Sequence, residues 1–256
     1  MILVLDIGNS QVYGGVFEGE QLRLQFRRAS RPESTSDEQG LFLREVLRQN
    51  GVDPAAIAAV AVCSVVPDMM HSVRNACLKY FGQAPFVLEP GVRTGLRIRY
   101  RNPLEVGPDR IAGAIAAAKL YPARNAIIVD FGTATTIDAL TSDREYLGGL
   151  IVPGLRVAME SLYSKTARLP KVEIRRPPEL LGRSTIESIQ AGLYFGNAAL
   201  LRHVCAQVRE QYFAGQPTVL IGTGGFARLF EDEGVFDALV PELVLIGLCE
   251  ALAMNR

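Results

Sequence analysis

The chain contains the same short pattern twice, and this repeat limits the folds that are open to it. In each copy an apolar run ends in an aspartate, and a glycine follows two positions later. The first copy has Asp6 and Gly8 near the N-terminus, and the second has Asp130 and Gly132 near the middle. The two aspartates lie 124 positions apart in 256 residues. This spacing predicts a duplicated α/β unit with an acid and a glycine turn at the end of the first strand of each copy.

Each of these turns has the chemistry needed to bind nucleotide phosphates. A carboxylate at the end of a strand can hold Mg²⁺, which keeps several waters and takes one or two protein carboxylates plus phosphate oxygens. Glycine permits positive φ and leaves room for a phosphate next to the backbone. The hydroxyls of Thr133, Thr135 and Thr136 can then donate to phosphate oxygens, together with turn amides. A single copy would fit an ordinary turn equally well, whereas two copies at half-chain spacing favour a nucleotide clamp.

Composition argues against several other classes of function. Basic and acidic residues both number 27, which gives no support to non-specific binding of nucleic acid or of an anionic membrane. The four cysteines form no C-x-x-C pair and lie in apolar surroundings, so they are predicted to be reduced core residues. The sequence has no signal-peptide pattern, and no apolar run approaches the roughly 20 residues of a membrane span. These features predict a soluble, cytoplasmic protein.

Hydrophobic periodicity predicts a mixed α/β lobe in residues 1–115. The predicted strands are Ile2–Asp6, Gln11–Phe17, Gln21–Arg28, Ala58–Cys63 and an exposed edge strand at Arg97–Arg101. The predicted helices are one opened by a capping box at Ser36–Gln39, one at Asp68–Phe81, and a small-residue helix at Ile111–Leu120. The turn-rich loop before the last helix places Asp109 at or near a helix N-terminus.

Residues 116–256 are predicted to form the second lobe. Its predicted elements are a hairpin of Ile127–Asp130 and Thr136–Leu140, a strand at Glu145–Leu147, a helix ending near Ser164, a long helix from Ser184 to Tyr212, and a closing helix at Glu242–Met254. The apolar, glycine-rich stretch Gly148–Gly154 indicates backbone pressed against another group. The basic, proline-containing segment 165–183 is either a surface loop or a mobile lid. Gly192 and Gly196 indicate close approach of another helix, from this chain or from another subunit.

A third element with a strand followed by glycines is Val219–Gly225. Its glycines superficially fit a dinucleotide-binding fingerprint, but that fingerprint belongs to the first βα turn of a Rossmann unit, whereas this element lies near the C-terminus. It is a better fit to a surface that binds a nucleoside. Together the three glycine elements resemble the superfamily of sugar kinases, heat-shock ATPases and actin, in which two ribonuclease-H-like lobes close on ATP. Within it the chain resembles the type III pantothenate kinases over nearly its whole length. The matching segments are Asp6–Ser10, Tyr100–Pro103, Gly107–Arg110, Asp130–Thr136, Gly148–Gly154 and Gly182–Thr185.

The resemblance implies an actin-like ATPase fold and ATP-dependent phosphorylation of pantothenate to 4'-phosphopantothenate, the first step of coenzyme A biosynthesis. It implies a homodimer with the active site at the interface, Mg²⁺ with ATP, and a monovalent cation, K⁺ or NH₄⁺. Asp109 is the implied general base, Asp130 the ligand of the monovalent cation, and Asp6 a ligand of Mg²⁺ through water. The implied ATP-binding residues are Asp6, Ile7, Gly8, Asn9, Ser10, Gln11, Val12, Tyr13 and Thr133. The implied pantothenate-binding residues are Tyr100, Gly107, Pro108, Asp109, Arg110 and, from across the dimer interface, Thr185.

Other interpretations remain open from the residues themselves. Asp109 could be an N-cap that pairs with Arg110. Pro108 stands where the family usually has a small residue, and proline removes one backbone N–H. A sugar kinase of the same superfamily is the main alternative, although its repressor-related branch typically has a zinc motif of Cys and His. A catalytically idle regulatory relative is a third, and the presence of all three acids and the lack of a basic stripe argue against it.

Overall fold

The computed structural model describes all 256 residues, which divide into two compact units. Unit 1 comprises Met1–Gly95, Asn102–Ala116 and Leu243–Arg256. Unit 2 comprises Leu96–Arg101 and Ala117–Glu242. The C-terminal segment therefore groups with the N-terminal unit. The lobe boundary proposed between residues 115 and 116 remains a prediction.

Eleven strands and six α-helices make up the chain. The strands are β1 (Ile2–Ile7), β2 (Gln11–Glu18), β3 (Gln21–Ala29), β4 (Ala59–Ser64), β5 (Phe86–Val87), β6 (Arg97–Ile98), β7 (Asn125–Phe131), β8 (Ala134–Leu140), β9 (Glu145–Pro153), β10 (Thr218–Gly224) and β11 (Ala238–Leu239). The helices are α1 (Ser36–Gln49), α2 (Pro67–Phe81), α3 (Pro108–Leu120), α4 (Leu155–Lys165), α5 (Thr185–Phe213) and α6 (Leu243–Met254). None of the helices is long and apolar enough to cross a lipid bilayer.

The two sheets have the same strand order, which confirms the predicted duplication. Unit 1 has the order β3-β2-β1-β4-β5, and unit 2 has β9-β8-β7-β10-β11 with β6 added beyond β9. In unit 1, β1 pairs antiparallel with β2 and parallel with β4. In unit 2, β7 pairs antiparallel with β8 and parallel with β10. Because β1 and β7 are central strands, the aspartates near their C-terminal ends lie at equivalent positions.

Each sheet buries an apolar core against its own helices. In unit 1, Leu3 and Leu5 of β1 pack with Leu47 of α1 and Met69 of α2. These side chains are at most 1% exposed. On β1 the residues between them belong to the opposite face, because side chains alternate along a strand. This is the face that carries Asp6.

Helix α6 approaches α3 closely enough to require glycine. A Cβ on Gly247 would overlap the backbone of Ala112. By contrast, a Cβ on Gly113 would meet only the Leu243 side chain, at 3.8 Å. The contact between α3 and α6 therefore depends on the absence of a side chain at Gly247.

Several predicted boundaries were wrong. The cap of α1 is Thr35 with Glu38, one residue earlier than predicted, and both reciprocal hydrogen bonds of the capping box are present. The predicted strand Arg97–Arg101 is reduced to its first two residues, although it does lie at the sheet edge. Strand β9 does not end at Leu147 as predicted but continues to Pro153, through most of the stretch Gly148–Gly154.

Candidate active site

The turn between β1 and β2 forms the first part of the site. The Gly8 amide donates to the Gln11 carbonyl at 3.0 Å and closes the turn. Ser30, which follows β3, supports the turn from the side: its amide donates to the Ser10 carbonyl at 3.1 Å and its hydroxyl donates to the Gly8 carbonyl. Sequence reasoning missed Ser30, because its role depends on the pairing of β2 with β3.

The eight residues predicted to bind ATP in this turn differ in their access to a ligand. Ile7, Val12 and Tyr13 are buried, and Asp6 and Gly8 are half-buried. The three residues between Gly8 and Val12 are exposed. A ligand can therefore reach the turn backbone and the exposed side chains, whereas Ile7 and Val12 serve the core.

Asp6 is held in an environment that opposes its charge. Its partner across the parallel pair is Cys63 of β4, whose thiol donates to Asp6 Oδ1 at 3.3 Å. Burial, and then the charge of Asp109, raise the pKa of Asp6 to about 7, against the smaller opposing effects of Cys63 and Arg27. Burial, and then the neighbouring carboxylates, raise the pKa of the Cys63 thiol well above its usual value, so the thiol stays a donor. Two carboxylates therefore share one small region of unit 1.

Asp109 lies in the first turn of α3. Pro108 is the first residue of this helix, where the missing N–H costs no intrahelical bond. The Asp109 carboxylate accepts a hydrogen bond from the Arg110 amide at 2.8 Å and lies over Gly107, where a Cβ would collide with it. The glycine and the helix start thus fix the direction of the carboxylate. Asp109 is the second helical residue rather than the N-cap that was considered from sequence.

In unit 2 the equivalent turn follows β7 and is enclosed by glycines. The Gly132 amide donates to the Ala134 carbonyl at 3.0 Å, and the Gly154 amide donates to the Thr133 carbonyl at 3.1 Å. Gly224, at the end of β10, has φ +86°, and a Cβ there would collide with Asp130 Oδ1. Gly154, which directly follows β9, and Gly224, at the C-terminal end of β10, are thus both packed against this turn. Thr133 is exposed and open to a ligand.

Tyr100 packs against Gly148 and Tyr146 of the same unit. Its ring packs over Gly148, where a Cβ would come within 3.3 Å of it. The ring centroid of Tyr146 is 6.5 Å away, and the Tyr146 hydroxyl donates to Asp138 Oδ1 at 2.6 Å. Because Tyr146 and Asp138 are almost completely buried, this pair gives Tyr100 a rigid support.

Thr185 is the first residue of α5. Ser184 caps the helix, accepting from the Glu187 amide at 3.3 Å, as the sequence predicted. Thr185 is exposed and lines a shallow groove beside α4 and α5 that also includes Gly192. A Cβ on Gly192 or Gly196 would meet nothing within 4 Å. The close helix predicted at these glycines is therefore not supplied by the chain itself.

The segment 165–183 is anchored in its middle. Val172 is 7% exposed and belongs to the unit 2 core. The Gln190 side chain donates to the Glu173 carbonyl at 2.9 Å, and Arg176 pairs with Asp232 at 3.2 Å. These contacts favour a surface loop over a lid that moves as one piece.

The structure thus brings together Asp6, Tyr13 and Asp109 in unit 1. In unit 2, Asp130 and Thr133 share one turn, and Tyr100 and Thr185 lie on other elements. No three His, Cys, Asp or Glu side chains are arranged to hold a metal ion. Asp6 still fits Mg²⁺, because this ion takes one or two protein carboxylates when phosphates and water complete its shell.

Comparison with known proteins identifies the family of the chain. The family model of type III pantothenate kinase matches residues 2–207. Type III pantothenate kinases of Legionella pneumophila (strain Corby) and Elusimicrobium minutum (strain Pei191) are 51% and 48% identical to the chain, each over 100% of this chain and 99% of the relative.

Solved structures with low identity show the same fold. A Baf family transcriptional activator from Campylobacter jejuni has a TM-score of 0.61 at 20% identity, over 99% of this chain and 98% of that one. An activator of 2-hydroxyisocaproyl-CoA dehydratase from Clostridium difficile, with bound ADPNP, has a TM-score of 0.53 at 13% identity, over 99% of this chain and 93% of that one. The actin-like ATPase fold expected from sequence is confirmed. With half of its residues identical to a relative of equal length, the chain belongs to the type III pantothenate kinase family.

Proposed function

We propose that this chain transfers the γ-phosphoryl group of ATP to the primary hydroxyl of pantothenate, with Asp109 as the general base. The observation that carries the proposal is the carboxylate of Asp109, directed by Gly107 and the start of α3 and close enough to Asp6 to raise its pKa. A carboxylate that can reach the attacking hydroxyl is the usual base in phosphoryl transfer.

In this proposal the Asp6 turn binds the ATP phosphates. Mg²⁺ bound there would neutralise phosphate charge, with Asp6 as a ligand through water. The exposed residues Asn9, Ser10 and Gln11 and the amides of the turn donate to phosphate oxygens, and Thr133 contacts the nucleotide. Arg110, which follows the base, is suited to the carboxylate of pantothenate or to the transferred phosphoryl group.

Pantothenate would lie against Tyr100, whose ring is fixed by Gly148 and Tyr146. The side chains of Asp109 and Arg110 and the backbone of Gly107 and Pro108 complete its contacts. Pro108 can offer only a carbonyl and a ring there, because it has no N–H. Asp130 would hold a monovalent cation, K⁺ or NH₄⁺.

We also propose a homodimer in which Thr185 reaches the site of the partner. The open space over Gly192 and Gly196 supports this, since two helical glycines cost about 1 kcal/mol each relative to alanine and nothing in the chain uses the space. The exposed apolar side chains of Leu162 and Ile186 are also consistent with a covered surface. The four cysteines form no disulfide and three of them are buried, which fits a reducing compartment, and cytoplasmic localisation can be checked by cell fractionation.

The test is ADP release in the presence of pantothenate, with a panel of sugars as competing acceptors. Asp109→Asn should lower kcat by about 10²–10⁴-fold and leave ATP binding intact. Asp68→Asn is a matched control, because Asp68 also follows a proline in the first turn of a helix and is exposed. Turnover with a sugar but not with pantothenate would favour the sugar-kinase alternative. Full activity of Asp109→Asn would remove Asp109 from the mechanism.

A further inference from the structure

Four side chains form a row across unit 1 at the level of Asp6. The strand register pairs Arg27 of β3 with Tyr13 of β2, Tyr13 with Asp6 of β1, and Asp6 with Cys63 of β4. Directly paired residues extend from the same face of a sheet, and in an antiparallel pair their Cβ atoms are about 4.5–5.5 Å apart. We name these four residues the cross-strand row. Arg27 stands at one end of it, two strands from Asp6.

Arg27 differs from its neighbours in having no acceptor in the chain. Arg23, on the same strand, pairs with Glu18 at 3.1 Å, and Arg28 donates to Gln39 at 3.2 Å. The guanidinium of Arg27 instead lies over the Tyr13 ring, 3.8 Å from its centroid, and the residue is exposed. Stacking on the ring holds the planar group in one orientation and leaves its N–H donors unused.

Tyr13 is itself held in place, and it therefore fixes the position of the Arg27 guanidinium that lies over its ring. Its ring is buried, with 6% exposure, and its hydroxyl donates to the Gln25 side chain at 2.7 Å. Gln25 lies two residues before Arg27, on the same strand. Tyr13 is therefore a support, and the group it presents to a ligand is the arginine above it.

The charges around the row indicate what Arg27 would bind. Asp6 and Asp109 bring two carboxylates to this region, and Arg27 is the cation that acts on Asp6 through its charge. A guanidinium with free donors is well suited to a phosphate group, which it can contact with two parallel hydrogen bonds. A triphosphate beside Asp6 would thus meet a cation on the side away from Cys63.

We propose that Arg27 is a further ATP-binding residue, which contacts a phosphate group and extends the nucleotide site from the Asp6 turn across β2 to β3. This inference rests on the proposed function only in taking the Asp6 turn as the nucleotide site. Arg27 lies outside the motif that revealed the turn, and only the strand register brings it to the site.

The experiment measures equilibrium binding of MgATP and of adenosine to the full chain, without pantothenate, by calorimetry. Arg27→Gln should weaken MgATP binding about tenfold or more, the effect of losing a hydrogen bond to a charged group, and leave adenosine binding unchanged. Arg27→Lys should recover part of the lost MgATP affinity, because lysine retains the charge but cannot form two parallel hydrogen bonds to one phosphate group. Arg23→Gln is the matched control, since it removes the same charge from the same strand, where Arg23 forms an ion pair with Glu18. In turnover, Arg27→Gln should raise KM for ATP but not for pantothenate.

Three results would overturn the proposal: unchanged MgATP binding in Arg27→Gln, an equal loss of adenosine binding, or an equal loss in Arg23→Gln. An equal loss of adenosine binding would show that Arg27 only supports Tyr13. If MgATP binding depends on Arg27 but pantothenate is not phosphorylated, the proposed function fails and this inference stands.

Discussion

Replacing Asp6 by asparagine should stabilise the ligand-free protein above neutral pH while it abolishes activity. The pKa of Asp6 is raised from 3.8 to about 7 in the folded protein, first by burial and then by Asp109. Each unit of pKa difference corresponds to about 1.4 kcal/mol. A difference of about 3 units therefore corresponds to about 4 kcal/mol of unfolding free energy, as an upper value, that is lost progressively as pH rises from about 4 to about 7.

The sign of the pH dependence follows from where the proton is bound. Between pH 3.8 and 7 the folded state keeps the proton on Asp6, whereas the unfolded state loses it. The unfolding free energy therefore falls as pH rises through this window, and the contribution of Asp6 is complete below about pH 4. Asparagine cannot ionise, and its side-chain oxygen can still accept from the Cys63 thiol, so the variant should lack this decline.

The assay is urea unfolding of wild type and Asp6→Asn at pH 5 and pH 8, without nucleotide or divalent ions. The variant should gain stability relative to wild type between the two pH values, by about 2–4 kcal/mol from the same shift. Asp109→Asn should show a smaller gain, because it removes the second cause of the raised pKa and leaves burial. Equal stability differences at pH 5 and pH 8 would refute the reasoning, since the titration of Asp6 is what distinguishes wild type from the variant across this pH range.

Three other predictions follow from packing and from the proposed ligands. Gly247→Ala should cost about 1–3 kcal/mol of unfolding free energy through overlap with Ala112, whereas Gly113→Ala should be neutral or gain up to about 1 kcal/mol; similar urea midpoints for the two would contradict the packing argument. If Asp130 holds a monovalent cation, turnover should require potassium or ammonium and fail in sodium, and equal rates in all three would remove that role. Gly192→Leu should convert the dimer to a monomer in sedimentation equilibrium, and an unchanged dimer would exclude this helix face.

The sequence was sufficient where structure is determined by neighbouring residues. In both units the apolar strand that carries the aspartate leads through a glycine turn into an antiparallel partner, as the repeated pattern predicted. The cap of α5 at Ser184 was predicted correctly, whereas that of α1 was displaced by one residue, because Thr35 and Ser36 are both good caps. The two-residue strands β5 and β11 were missed, since they are too short to show a periodic pattern.

The parts of the site that sequence could not provide depend on pairing between distant strands. Ser30, Arg27 and Cys63 reach the Asp6 turn only through the register of β3 and β4. None of them lies in a motif, and alternation along β3 marks Arg27 only as exposed. The glycine at 224 was noticed, but its contact with Asp130 required the parallel pairing of β10 with β7.

The duplication also explains why the two aspartates should have different tasks. At the positions equivalent to the cross-strand row, unit 2 has Ile151, Thr136, Asp130 and Thr223. Where unit 1 has the cation of Arg27, unit 2 has an apolar side chain with 61% exposure. Asp130 is flanked by two threonines instead of a tyrosine and a thiol, and neutral hydroxyl oxygens suit a singly charged ion better than a triphosphate with its Mg²⁺. Duplication therefore accounts for the position of each acid, and the different neighbours in the two units account for the ligand that we assign to it.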